Sequence, residues 1–513
     1  MKLKWLNLTL MILSLGTPAF AQKSTPSTAG GVAEESRVSV QKCGSYTVRS
    51  TDHAWSENSN FIELSYKNKI YARLTDTSVS MQLCRDLIGD GVPEVLLMQF
   101  SGGAHCCAPH TLYSLTVPPH TLLRAFSGHS DSLEVRQLDG KGPPELLGYD
   151  WRFAYAYGLS FAGSPALPTV YRYLGGRYVE DSRSFPGVIL GRTQRSGTDV
   201  APGDYLYDLA ALLVVGKPGE AQSYLESTPP DIRAWLSNYL PDIRQSLGDY
   251  GAQDWPQRAG LPDDVAASGV GGSFSAPGVR EYAALVGASQ SASNTLPNGI
   301  GALMLFRSSG GTVQASKTLM TFPKAPGGEL YRTFWWPAYS VRRADGRDDL
   351  VVRDARNGDV RFGAYRLDST QATRTQDALS AGLVMLSDLV TLADANGALR
   401  ETSARRTASE RAALGSRRSG ALSKVQAWLK LAPQSFDPTQ LVLAGIAALE
   451  FSQDTATKAT LRVPLELSVT PTGSSERYGV PQRYTLTLVL EKADTGWRVV
   501  SWSLTVRDGE MTG

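Results

Sequence analysis

The chain has 513 residues, enough for two to four domains with sizeable cores. Its 51 Lys and Arg against 49 Asp and Glu leave a net charge of +2, and charged residues make up only 19%. No global basic field is present, so nucleic acid is not an expected partner. The 49 glycines and 28 prolines suit many turns between short strands.

Residues 1–21 read as a cleavable signal peptide: Lys2 and Lys4 open it, 5–15 are apolar, and Ala19-Phe20-Ala21 supplies a small-x-small site before Gln22. Beyond this leader, apolar runs such as 209–215 and 441–449 are too short to span a bilayer, so no transmembrane segment is expected after cleavage. The mature chain is therefore expected to be soluble, in the periplasm or secreted. Four cysteines in an oxidising compartment predict two disulfides with three possible pairings. Cys43 with Cys84 and Cys106 with Cys107 is the preferred pairing; Cys43 and Cys84 joined to the Cys106-Cys107 doublet stays open.

Residues 22–36 are rich in Ser, Thr, Gly and Ala and are expected to be a disordered lead-in. From 37 onwards apolar and polar residues alternate in short runs, the period of strands. The stretch DLIGDGVPEVLL over 86–97 returns 51 residues later as QLDGKGPPELLG over 137–148, with six of twelve positions identical. A repeat of that length matches one blade of a β-propeller or a comparable unit. Trp151, Phe153, Tyr155, Tyr157 and Phe161 follow, read as a strand whose rings pack between repeats. Helical patterns then interrupt the period over 200–252, at 204–215, 218–225 and 230–250, the last two begun by proline near the first turn. Fainter copies of the turn follow at 273–281 and 341–349, the first keeping Gly278 and Glu281, the second Asp345, Gly346 and Asp349.

The character changes past 370. Residues 378–396 and 406–431 read as helices, the second interrupted around Gly415 and Gly420, and 441–451 as a short helix or strand. Alternating runs over 459–469, 484–491 and 497–506 predict a meander of long strands. The predicted organisation is a repeat domain over 37–370, a helical connector over 371–432 and an α+β domain over 433–513, to which the connector helices can belong. The fold class is mainly β, with a degenerate propeller-like domain, a helical insert and an α+β cone-like end.

The acidic turn resembles the calcium loops of FG-GAP and VCBS-type repeat proteins, the integrin-α-like propellers. In those loops acids at alternate positions converge on a hard cation while glycine permits the sharp turn. Asp86, Asp90, Gly91 and Glu94 match that pattern, whereas Ile88 cannot ligate and Lys141 replaces an acid in the second copy. A glycine turn feeding a strand is the first reading, and any calcium would sit at Asp86, Asp90 and Glu94. The end of the chain is similar to the nuclear-transport-factor-like cone, through helices followed by long strands around Trp497. That fold hosts both enzymes and binding domains and so does not decide function.

His105 beside Cys106-Cys107 suggests a cysteine nucleophile, a zinc site or a disulfide-stiffened turn; exported thiols favour the last. Trp335 and Trp336, near Phe334 and Tyr339, are candidate exposed aromatics for a glycan or protein partner. Arg400, Arg405, Arg406, Arg411, Arg417, Arg418 and Lys424 form a basic stretch, expected to be the solvated side of a helix. Glu466 and Glu491 lie on strands with no evident partner. No nucleophile elbow, His-Glu-x-x-His or phosphate-binding loop occurs. The expected function is non-catalytic binding or scaffolding in the cell envelope, with an envelope protein or glycan as partner. The alternative is a glycan-directed hydrolase using Asp86, Asp90 or Asp150.

Overall fold

The computed structural model describes residues 37–52, 60–102, 108–127, 132–191, 200–262, 265–288, 301–309, 312–322, 335–354, 359–400, 408–430, 442–446, 448–468 and 482–506. The chain is mainly β and begins with a series of four-stranded antiparallel meanders. The first contains β1 (Arg37–Cys43), β2 (Tyr46–Asp52), β3 (Asn60–Tyr66) and β4 (Lys69–Asp76). The second contains β5 (Ser78–Arg85), β6 (Glu94–Phe100), β7 (Ala108–Ser114) and β8 (His120–Ser127). The third contains β9 (Glu134–Arg136), β10 (Glu145–Asp150), β11 (Leu167–Leu174) and β12 (Arg177–Glu180).

Helices then intervene: α1 (Pro186–Leu190), α2 (Pro202–Val214), α3 (Pro218–Ser227), α4 (Pro230–Ser246) and α5 (Trp255–Arg258). Proline opens α2, α3 and α4, where its missing N–H leaves no helical bond unmade. Their apolar faces meet in one core that includes Leu206, Leu209, Trp235, Leu236 and Ile243.

The fourth meander contains β13 (Val265–Gly272), β14 (Glu281–Ala288), β15 (Gly301–Ser309) and β16 (Thr312–Ala315), with β17 (Met320–Phe322) also paired to β15. The fifth contains β18 (Trp335–Arg342), β19 (Asp348–Asp354), β20 (Arg361–Leu367) and β21 (Ala372–Arg374). After α6 (Ala378–Arg400) and α7 (Ala408–Leu429) comes a sixth sheet. Its strands are β22 (Val442–Ile446), β23 (Glu450–Ser452), β24 (Lys458–Ser468), β25 (Gln482–Ala493) and β26 (Gly496–Val506).

β6 and β19, each the second strand of its meander, are buried on both faces over most of their length, and their side chains alternate between two cores. Val95 and Leu97 of β6 pack with Tyr46, Ile62 and Leu64 of the first sheet, while Leu96 packs with Leu146 and Tyr178 of the third. Leu350 and Val352 of β19 pack with Ala283, Leu285 and Leu303 of the fourth sheet. Val351, between them, enters the core built on α6 and the sixth sheet. Neighbouring sheets therefore stack face to face, and the helices stand between the third and the fourth. All four copies of the acidic turn occupy one place, the connection between the first and second strands of a meander.

Three local expectations are corrected. The aromatic run after β10 is not a strand; it is a series of turns and a 3-10 helix, Ala156–Gly158. Helix α7 runs without interruption through Gly415 and Gly420, whose Cα positions face open space. One described helix, Ala378–Asn396, is long and apolar enough to cross a membrane, against the expectation of only shorter apolar runs after the leader. It is mostly buried, packed on β20, β22, β24, β25 and β26 as a core helix. Since Val341, Phe362 and Ala364 of the fifth sheet share that core with Leu461 and Leu488, α6 welds the fifth sheet to the sixth.

Candidate functional site

The most distinctive local structure is the aromatic loop between β10 and β11. It leaves β10 through Asp150, whose Oδ1 accepts the Arg152 N–H at 2.9 Å. The Arg152 guanidinium grips Asp150 at 2.5 Å and Asp249 at 2.7 Å, and lies 5.1 Å from the centre of the Tyr250 ring. A fixed, planar guanidinium between two carboxylates anchors the loop to the end of α4. Trp151 then stacks on Phe161, with ring centres 4.7 Å apart and planes 15° from parallel.

Between those two rings the backbone takes an uncommon path. Tyr155 and Tyr157 both have φ of 58°, the left-handed region that L-residues avoid at a cost of roughly 1–3 kcal/mol each. The turn is held by neighbours: Tyr155 N–H donates to Ser164 Oγ at 3.0 Å, and Trp235 Nε1–H donates to the Tyr157 carbonyl at 3.1 Å. Such strain persists only where the surroundings over-determine it.

The loop divides two clefts. One, of about 360 Å³, is lined by Tyr149, Trp151, Ser164 and, on α2, Asp204, Tyr207 and Asp208. Asp204 accepts the Ala201 N–H at 3.2 Å, Tyr207 donates to the Ile189 carbonyl, and Asp208 accepts the Tyr224 hydroxyl at 3.1 Å. Its polar walls are thus already used in holding the helices together.

The second cleft, of about 270 Å³, lies where the aromatic loop and α4 meet the sixth sheet. Tyr155, Tyr157 and Tyr239 form one side; Asp242, Glu466 and Arg483 supply the charges. The Tyr157 and Tyr239 rings are 4.7 Å apart, and Tyr155 is 57% exposed at the rim. Arg483 lies 4.4 Å over the Tyr239 ring and donates through Nε to Glu466 Oε1 at 2.8 Å. Asp242 Oδ1 accepts the Ala448 N–H. Burial, with Asp242 adding to it, pushes the Tyr157 hydroxyl above its usual range. The cleft combines flat apolar faces with an ordered set of donors and acceptors, the composition of a small-molecule site.

The acids singled out in the sequence serve their own turns. Asp86 accepts Gly89 N–H at 2.6 Å and Gly91 N–H at 2.9 Å, and Asp90 accepts Val92 N–H at 2.9 Å. Glu94 is fully buried and accepts Leu87 N–H at 2.7 Å and Ile88 N–H at 3.3 Å. In the second copy Gln137 accepts Gly140 N–H at 3.0 Å, Asp139 accepts Lys141 N–H at 2.8 Å and Glu145 accepts Leu138 N–H at 2.8 Å. In the third, Glu281 takes Phe274 and Ser275 N–H at 2.8 and 2.7 Å. In the fourth, Asp345 accepts Arg347 N–H at 3.1 Å, while Asp348 reaches across to Ser273 N–H of the fourth sheet at 2.6 Å. Among the described residues no three His, Cys, Asp or Glu side chains stand grouped so as to hold a metal ion.

Cys43 and Cys84 form a disulfide with Cα atoms 5.7 Å apart, joining β1 to β5. His105, Cys106 and Cys107 lie outside the described residues. Trp335 and Trp336 open β18 opposite Asp354 and Arg353, but their side chains lie outside what is described. Two residues of the basic stretch meet acids, Arg417 facing Asp359 at 3.7 Å and Lys424 facing Asp388 at 3.3 Å, while Arg418 donates to the Asn396 amide oxygen at 2.6 Å.

Tyr239, Asp242 and Arg483 were not singled out in the sequence. Glu466, read there as partnerless, stands directly across from Arg483 in the β24–β25 register, and Glu491 likewise faces Lys458 at 3.4 Å. Those pairings follow from strand register, which a period of two alone does not fix.

No protein-family model matches this chain, and no curated protein matches it significantly.

Proposed function

We propose that this is an exported, non-catalytic binding or scaffolding protein of the cell envelope, built on a degenerate β-propeller-like array that carries an α+β cone-like domain. The signal-peptide pattern of residues 1–21 supports export. The array reading is supported by successive four-stranded meanders stacked face to face with the same turn at the same point of four of them. The observation that carries the binding reading is the tyrosine-walled cleft at the junction of loop, α4 and sixth sheet. Its charged groups are already tied to partners within the chain. A hydrolase needs a carboxylate pair poised across a cleft. Asp86 and Asp90 accept backbone N–H groups, and Asp150 is clamped by Arg152.

In-cell crosslinking of the mature protein, followed by mass spectrometry, tests the proposal. A reproducible envelope component crosslinked near Tyr155 or Tyr239 is the expected result. Release of reducing ends from purified cell-wall glycan by the pure protein, with nothing captured, would replace the binder with the hydrolase.

A further inference from the structure

We propose that a cleft of about 350 Å³ between the end of the fifth sheet, α6 and α7 binds the phosphate group of a small phosphate monoester. This site is separate from the tyrosine-walled cleft, so the proposal goes beyond the reading of the protein as a binder there and is tested separately.

The walls follow from helical spacing. Positions 384, 387, 388 and 391 share one face of α6, and 417, 420, 421 and 424 share one face of α7. On the α6 face two hydroxyls hold the sheet in place: Ser387 Oγ accepts the Phe362 N–H and Thr391 Oγ1 the Val360 N–H, both at 2.9 Å. On the α7 face Gly420 and Ala421 are small, and a Cβ at Gly420 would meet nothing within 4 Å, so the space between the helices stays open. Arg361 of β20 and Arg374 of β21 close the third side.

The charges around this space do not balance. Arg361, Arg374, Arg417 and Lys424 stand against two carboxylates, Asp359 and Asp388. Asp388 is engaged within the chain: it accepts the Trp428 Nε1–H at 3.2 Å and lies 3.3 Å from Lys424, with its side chain only 15% exposed. Asp359 and Arg417 form a partly exposed pair at 3.7 Å, weak enough for a stronger acceptor to displace. Among the described residues Arg361 and Arg374 have no acidic partner, and both are exposed.

Two positive charges therefore remain for a guest, and a phosphate monoester carries about two negative ones near neutral pH. Each guanidinium presents a planar fork of N–H donors that matches phosphate oxygens two at a time. A cationic guest meets an excess of like charge, and a neutral one leaves both guanidiniums unmatched. Val384, 54% exposed on α6, adds an apolar edge beside the cations, which suits an ester's organic group better than a bare ion. At this size the cleft lies at the small end of ligand sites, room for a phosphate and one compact substituent. Two sources share this chemistry, a sugar phosphate and the headgroup of a phosphate-monoester lipid.

The test is calorimetric titration of the mature protein with glucose 6-phosphate, glucose and succinate, beside co-sedimentation with phosphatidylcholine vesicles that contain or lack phosphatidic acid. At least one phosphate-bearing probe is expected to bind, and its phosphate-free counterpart is not. Binding of glucose 6-phosphate alone assigns a sugar phosphate; binding of the phosphatidic acid vesicles assigns a lipid headgroup. Arg361→Gln and Arg374→Gln, on separate strands and exposed, should each weaken the bound probe about tenfold at an unchanged melting temperature. Arg244→Gln removes the same charge from an exposed position on α4 outside the cleft and should bind as wild type does. Three results overturn the site: no phosphate-bearing probe binds, succinate binds as tightly as glucose 6-phosphate, or Arg244→Gln loses as much as the cleft variants. None of them bears on a crosslink near Tyr155 or Tyr239, so failure here leaves the tyrosine-walled cleft standing, and an empty crosslink leaves the phosphate site standing.

Discussion

Glu94 and Leu87 close the turn between β5 and β6 on itself: one buried carboxylate oxygen takes the Leu87 N–H at 2.7 Å. Glu145 repeats the bond to Leu138 at 2.8 Å, and Glu281 to Phe274 at 2.8 Å, each seven residues back in the chain. The residue heading the second strand thus fixes the loop that precedes it, which is why a buried acid recurs where burial alone would favour an apolar side chain. The glycine three residues before each of these acids, Gly91, Gly142 and Gly278, has φ of 85°, 66° and 71°, where an L-residue is strained.

Replacing Glu94 by Ala leaves two N–H groups without their acceptor, one of them on buried Leu87, and is expected to cost about 2–4 kcal/mol in urea unfolding. Glu94→Gln keeps an acceptor at the same place. Burial already pushes the Glu94 carboxyl up, so its charge contributes little that an amide lacks. The amide variant should lie within about 1 kcal/mol of wild type. Equal losses in the two variants would mean that the charge, not the hydrogen bonds, matters.

Calcium should leave the protein's melting temperature unchanged, with or without chelator. Gln137 performs with a neutral amide the task of Asp86, accepting the N–H three residues on, so the turn closes without a cation. Asp86→Asn is accordingly expected to change stability by about 0.5 kcal/mol or less. A calcium-dependent rise in melting temperature, abolished by Asp86→Asn, would establish Asp86, Asp90 and Glu94 as a metal site.

The meander turns were legible because glycine, proline and an acid at fixed offsets encode a backbone path locally. Even the faint copies at 273 and 341 fall at the expected connection. The helical insert was legible through its apolar period and initial prolines. The cleft was not. Alternation from Trp151 to Tyr157 imitates a strand, and the turn signals that break it, Gly158, Ser160, Gly163 and Pro165, come only afterwards. The other wall comes from Tyr239 and Asp242 and from Pro464, Leu465, Glu466 and Arg483, and no local pattern brings residues so distant in sequence together. The shared core of the fifth and sixth sheets stayed hidden for a related reason: the α6 sequence is apolar on nearly all sides, and period alone does not say that it is clasped by two sheets.

Removing the Cys43–Cys84 disulfide tests the tie between the first and second sheets. It closes a loop of 41 residues, for which chain entropy alone gives about 3–4 kcal/mol. Cys43→Ala with Cys84→Ala should lower unfolding free energy by roughly that amount, with less loss if the reduced unfolded chain retains structure. Cys43 is fully buried among Tyr46, Val48 and Val95, so alanine avoids adding a hydroxyl that would confuse the result. An unchanged denaturation midpoint would indicate that the stacked cores of the two sheets carry the junction alone.

Stability should fall as pH rises from about 4.5 to 8, through Glu180 at the end of β12. Burial, reinforced by Asp254 and Asp150, pushes its carboxyl up to about 8, against the opposing effects of the Ser182 hydroxyl and Arg280. Between the ordinary carboxylate range and that value the folded chain keeps a proton that the unfolded chain has released, so raising the pH favours unfolding. The contribution is fully present below about pH 4.5 and is lost once pH passes the folded value. Glu180→Gln keeps an acceptor for the Ser182 hydroxyl, which lies 2.7 Å from Oε1, and removes the titration. At pH 9 this variant should exceed wild type by on the order of 2–4 kcal/mol, and near pH 4 the two should nearly coincide. Asp254, whose carboxyl burial also pushes up, leaves a slope of the same sign in the variant. Urea titrations of both proteins across that range measure the difference directly. Parallel curves for the two would mean that Glu180 is already ionised in the fold, held by Arg280 and Arg183 at the junction of the third sheet, the helices and the fourth sheet.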